Sequence, residues 1–152
     1  MLIDTGAGIG ETVVDLILAG DESVLVTMPE PTALADAYAL MKTVVQIYPN
    51  YPFHVLVNMA RDGAQAEQVQ RSLAEISRRF LGYQPGDAGF VVSDATVPQG
   101  VVRQVPFTLL SPRSPAARCL GKMVERLLGQ PGAPRTERTF WERVAGSAWR
   151  RV

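Results

Sequence analysis

The chain has 152 residues, fifteen basic and fifteen acidic, with 47% hydrophobic residues. That suffices for one compact domain with its own core, and the cancelled charge gives the whole molecule no electrostatic pull towards nucleic acid or anionic membrane. A single cysteine excludes an intrachain disulfide, and no apolar run approaches the ~20 residues of a membrane-spanning helix. No basic segment followed by an apolar one marks a signal peptide, so a cytoplasmic location is expected.

Taken in chain order, the pattern alternates between strand and helix. "MLID" reads as the end of a strand that runs into the glycine-rich turn "TGAGIG". "ETVVDLILAGDE" reads as a short helix, with Val13/Ile17 and Val14/Leu18 paired at i,i+4. "SVLVTM" is a continuous apolar run, the mark of a parallel strand buried on both faces. In "PEPTALADAYALMKTVVQIY" the spacing predicts a helix capped by Thr32 with Pro31 outside it, and Leu34, Tyr38, Met41 and Val45 form its stripe.

After the turn cluster "YPNYP", "FHVLVN" reads as a strand. "GAQAEQVQRSLAEISRRFL" follows as an amphipathic helix with Val69, Leu73, Ile76 and Phe80 inward. "GYQPGDAG" breaks the chain before the short strand "FVV". "SPAARCLGKMVERLLG" is a helix with Ser114 at its N-cap, Pro115 at its first position and Gly129 just past its end. Residues 130–138 are a polar Pro/Gly linker, and residues 139–152 form a last helix, opened by the capping-box pair Thr139 and Glu142. Trp141, Val144, Ala145, Ala148, Trp149 and Val152 make its apolar stripe, with Arg143, Ser147 and Arg150 opposite. Two Trp with flanking Arg suit a helix lying on an anionic membrane surface, while folding back on the core is the equal alternative.

Alternation with apolar strands gives an α/β fold, a parallel sheet with helices on both faces. In such sheets the ligand crevice lies at the carboxyl ends of the strands, which selects residues 4–8, 27–32, 58–62 and 93–97. Asp4, followed by small residues, either holds a hydrated Mg²⁺ or bonds the amides of a helix-entry turn. Asn58 either reads a base edge or ends its strand, and Asp94 is either a ligand contact or a turn former. His54 and Cys119 read as packing residues. The sequence contains no G-x-x-x-x-G-K-[ST], the loop whose amides and Lys cradle nucleotide phosphates.

Several stretches carry a resemblance: "LIDTGAGIG", "GDE" before "VLVTMPEPTALADAYALMK", "VLVN", "GFVVSD" with "VVRQVPF", and "SPRSPAARCL". Together, from residue 2 to about 129, they resemble the MinD/ParA group of deviant-Walker P-loop ATPases, in its branch of flagellar number regulators (FlhG/FleN-like). The resemblance implies a P-loop NTPase fold truncated at its N-terminus, with residues 1–129 as the C-terminal part of the ATPase domain. It implies ATP and Mg²⁺ as cofactors, both only with the missing N-terminal half. Asp4 would hold Mg²⁺ through water, Gly8 would sense the γ-phosphate, and Asn58 would contact the adenine. Asp94 falls near the base, where the family has Pro-x-Asp and this chain has Val92 in place of the Pro. Glu30 would face the partner subunit of an ATP-bound homodimer.

The implied partners are flagellar assembly proteins, with residues 139–152 on the inner face of the membrane where such a tail is used. A partitioning ATPase needs basic surface for DNA. Residues 1–134 hold ten Lys/Arg against thirteen Asp/Glu, which disfavours nucleic acid. A non-enzymatic interaction module is the remaining alternative.

Overall fold

The computed structural model describes residues 1–129 and 139–148. Its centre is a sheet of three parallel strands in the order β1 (Ser23–Thr27), β2 (Phe53–Ala60), β3 (Gly86–Val92), with Ser23 opposite Phe53 and Thr27 opposite Val57. Parallel neighbours need crossovers, supplied by α2 (Pro31–Ile47) and α3 (Gly63–Leu81). With α1 (Glu11–Ala19) these cover one face, where Val14, Ile17, Met41, Val44, Leu73, Phe53, Val55 and Val57 form the larger core. The other face packs Leu56, Ala88 and Val91 against Ala116, Leu120 and Met123 of α6 (Pro115–Gly129), with Val97 and Phe107 from α4 (Thr96–Arg103) and α5 (Phe107–Leu110). Each fully buried aliphatic side chain here contributes about 1.5–3 kcal/mol. The expected α/β sheet with helices on both faces is therefore present.

Several elements differ from expectation. Residues 1–4 form no strand, and Met1 and Leu2 are exposed; the outer edge of β1 carries no strand among the described residues. Strand β1 is also not buried on both faces: Leu25 joins the larger core, whereas Val26 on the other face is 54% exposed. Helix α2 starts at Pro31 with Glu30 as N-cap, two residues before the expected start, since proline at the first position gives up only an N–H that would have no partner. Helix α6 includes Gly129 rather than stopping before it, while Ser114 caps it as read, accepting from Ala117 N at 3.2 Å. In α3 the inward row is Ala66, Val69, Leu73 and Ser77, not Ile76 and Phe80, which is 65% exposed. The small Ser77 lets α3 close on α2, its hydroxyl donating to the Met41 sulfur at 3.3 Å.

A last helix, α7 (Phe140–Ala148), packs on α1. The capping box forms as read: Thr139 N donates to Glu142 Oε2 at 2.7 Å, and Glu142 N to Thr139 Oγ1 at 3.3 Å. The helix is rotated away from the expected stripe, however. Phe140, Arg143 and Val144 are half-buried, whereas Ala145 is exposed and Trp141 is 69% exposed. Arg143 explains the rotation. Its Nε donates to the Ala19 carbonyl at 2.6 Å and its guanidinium pairs with Asp21 at 2.9 Å. A cation is thereby placed on a helix C-terminus, where the carbonyls have no intrahelical partner. Trp149, Arg150 and Val152, and the expected linker 130–138, lie outside the described residues.

Candidate nucleotide-facing loops

All three strands point the same way, so their carboxyl-end loops share one end of the sheet. After β1 the loop is Met28–Pro29–Glu30, leading into α2. Glu30 is exposed and makes no side-chain cap bond. Within β1, the Thr27 hydroxyl is buried and has no hydrogen-bond partner. A buried unpaired hydroxyl is costly, and this one sits on the last residue of β1. The sequence signal was present: a polar residue at an inward position of an otherwise apolar run.

At the end of β2 the chain kinks. Asn58 Oδ1 accepts from Met59 N at 2.9 Å, and Met59 takes a left-handed conformation at φ 56° that non-glycine residues rarely adopt. The kink shifts the register with β3 between Val57 and Ala60. It also leaves Asn58 half-buried, its amide oxygen bonded to Met59 N. Asp62 then caps α3, accepting from Gln65 N at 2.8 Å, and this bond holds its carboxyl below the ordinary value.

After β3, Asp94 ties two helices together. Its Oδ1 accepts from Thr96 N at 2.9 Å and from the Thr96 hydroxyl at 2.8 Å, while Oδ2 accepts from Ala116 N at 3.0 Å. Hydrogen bonds from the Thr96 and Ala116 amides, at the starts of α4 and α6, hold its carboxyl below the ordinary range. Asp94 thus serves as an anchor between two helix starts, and any ligand at this end meets the groups it positions. Those groups line an open depression: Thr96, Ser111, Pro112, Arg113, Ser114 and Pro115.

Asp4 and Gly8 stay in their own turn. Asp4 is exposed, with Gly6 N donating to Oδ1 at 3.4 Å, and Gly6 and Gly8 hold φ values of 71° and 101° that only glycine adopts freely. No cluster of three His, Cys, Asp or Glu that could hold a metal occurs among the described residues. At this end of the sheet the chain places the amide of Asn58 after β2 and the depression beside Asp94 after β3. For phosphates the turn at residues 4–8 offers one carboxylate, Asp4, and no lysine, and the sequence has no G-x-x-x-x-G-K-[ST] cradle. His54 is buried in β2 with Nε2 3.2 Å from Glu22, and Cys119 packs with Leu120 and Met123 under the sheet, both as read.

No protein-family model matches the chain. Over 131 residues it is 31% identical to the antiactivator FleN of Pseudomonas aeruginosa, a match covering 86% of this chain and 47% of FleN. It is 50% identical over 42 residues to the flagellum site-determining protein YlxH of Helicobacter pylori, covering 28% of this chain and 14% of that protein. Its fold matches the septum site-determining protein MinD of Pyrococcus horikoshii, solved with Mg-ADP, at a TM-score of 0.65 and 20% identity, over 83% of this chain and 49% of that one. The chain is therefore a homologue of FleN with a MinD-like fold, and it spans about half the length of FleN and of that MinD.

Proposed function

We propose that the chain supplies the base-side part of a nucleotide-dependent switch that regulates flagellar number or placement. The observation that carries this is the match to FleN over most of the chain. The fold supports it, because Glu30, Asn58 and the depression beside Asp94 follow the carboxyl ends of the three parallel strands. In a switch of this kind ATP closes a homodimer, Glu30 lies on the facing surface, and flagellar assembly proteins read the state. Gly8 senses the γ-phosphate, and Asp4 holds Mg²⁺ through water. The protein acts in the cytoplasm, with α7 available to an anionic inner-membrane surface when it leaves α1.

Stabilising the charge of the transferred phosphoryl group is the largest catalytic demand in such a reaction. Residues 1–152 hold none of the main donors, so on their own they are expected to show no ATPase activity. The test joins them to a segment carrying G-x-x-x-x-G-K-[ST] from a relative and measures Mg²⁺-dependent ATP binding and turnover. Binding should appear, and Asp4→Ala in the joined protein should abolish turnover. Absence of binding would leave the interaction-module reading, and unchanged turnover would remove Asp4 from the mechanism.

A further inference from the structure

The sequence has a second charge pattern beneath its zero net charge. Residues 1–41 contain seven acids and no Lys or Arg, while residues 95–124 contain Arg103, Arg113, Arg118 and Lys122 and no acid. The basic segment folds as α4, α5 and the first part of α6. Val97, Gly100 and Phe107 turn inward there, and Val105 N closes the corner on the Gly100 carbonyl at 3.0 Å. That inward set leaves Val101, Val102 and Leu109 outside, at 74%, 84% and 73% exposure, with Arg103 exposed beside them. Three large exposed aliphatic side chains, in a segment whose charged residues are all cations, are apolar surface of the kind that marks an interaction site.

We propose that the α4–α5 corner is a docking surface for an acidic amphipathic segment of a partner protein. Valine and leucine would bury aliphatic side chains of such a segment, and the cations would orient its Asp and Glu. A like-charged or basic segment is repelled. An anionic bilayer is the poorer match, because interfacial surfaces favour Trp and Tyr and this corner has neither. The tryptophan-bearing α7 packs with α1 on the opposite side of the sheet. The proposal goes beyond the switch reading and does not need nucleotide, so it is tested on the chain as it stands.

The probe is a phage-displayed library of random peptides about 16 residues long, selected on the intact chain. Enriched peptides should place Asp or Glu beside aliphatic residues, bind with salt-sensitive affinity as synthetic peptides, and lose about tenfold or more with Val102→Glu and with Arg103→Glu. Both sites are exposed, so the variants should keep the parent melting profile. The proposal is overturned by a failure to enrich, by neutral or basic winners, or by peptides that both variants bind as well as the parent. Two further results also overturn it. Val102→Glu changing the sedimentation of the chain would assign the corner to a second copy, and Val102-dependent pelleting with phosphatidylglycerol vesicles would assign it to lipid.

Discussion

Tyr51 shows how much one side chain carries at the amino-terminal end of the sheet. Its hydroxyl lies 2.7 Å from both the Ile17 carbonyl, to which it donates, and Ser23 Oγ, joining the end of α1 to the start of β1. Its ring packs edge-on against Phe53 at 4.9 Å. Burial pushes its hydroxyl up to about 12, and burial raises Tyr83 in the same direction. A raised value means that the fold holds the neutral phenol. Its contribution is complete below the unfolded value of 10.0 and is lost as pH rises through about 12. Tyr51→Phe keeps the ring and removes both hydrogen bonds, so it should cost about 1–3 kcal/mol near neutral pH. It should also flatten the alkaline fall in stability, leaving the part due to Tyr83. Urea unfolding of both proteins at about pH 8 and about pH 11 checks this. A parallel decline in the two would mean that the phenol is not the titrating group.

At the scale of elements, α7 docks on α1, and Arg143 ties it to the end of that helix. Removing that tie with Arg143→Ala leaves the Ala19 carbonyl and Asp21 without that cation, at a cost of about 1.5–3 kcal/mol to docking. That is a large share of what a nine-residue helix can gain by packing. The variant should release α7, read as faster amide exchange in residues 140–148 with α1–α6 unchanged. Released, the helix would also expose Phe140 and Val144 beside Trp141, so pelleting with anionic vesicles should rise above that of the parent. Equal pelleting of the parent, Arg143→Ala, Trp141→Glu and a chain ending at Gly129 would remove the membrane role.

The elements also show where local pattern is enough and where it is not. Helix α3 is legible to the residue because Asp62 caps it and Gly82 ends it in a left-handed turn, both local signals. Strand β3 and helix α4 are not. "GDAG" reads as a turn, yet it is strand, because it pairs with His54, Val55 and Leu56 of β2, while Asp87 accepts from Gly89 N at 2.6 Å and pairs with Arg126 of α6 at 2.8 Å. Helix α4 contains Pro98 and Gly100, both helix breakers by propensity. Gly100 is needed there because a Cβ would meet the Val105 carbonyl at 2.8 Å, a contact set only by the return of the chain into α5. The rotation of α7 was hidden for the same reason: Arg143 finds its partners in α1, far along the sequence. Asn58 and Asp94 are singled out by their positions after strands, but the double cap made by Asp94 depends on where α6 starts.

For the whole molecule, the sheet has one edge that decides its behaviour in solution. Strand β1 is paired along β2 only, and among the described residues nothing pairs with its other side. That side presents a row of backbone donors and acceptors, with Val26 exposed beside it and no lysine or proline within the strand to block pairing. Such an edge is a template for another strand. Residues 1–152 are therefore expected to self-associate, through β1 rather than through the α4–α5 corner. Val26→Lys puts a charge on the open strand, where lysine opposes edge pairing, and should shift the chain towards monomer; Val102→Glu should leave its association state unchanged. Sedimentation velocity over a range of concentrations distinguishes the two sites. A parent chain that sediments as a single monomer and melts in one sharp transition would show that β1 is protected without a further strand, and that the three-stranded sheet is a self-sufficient fold.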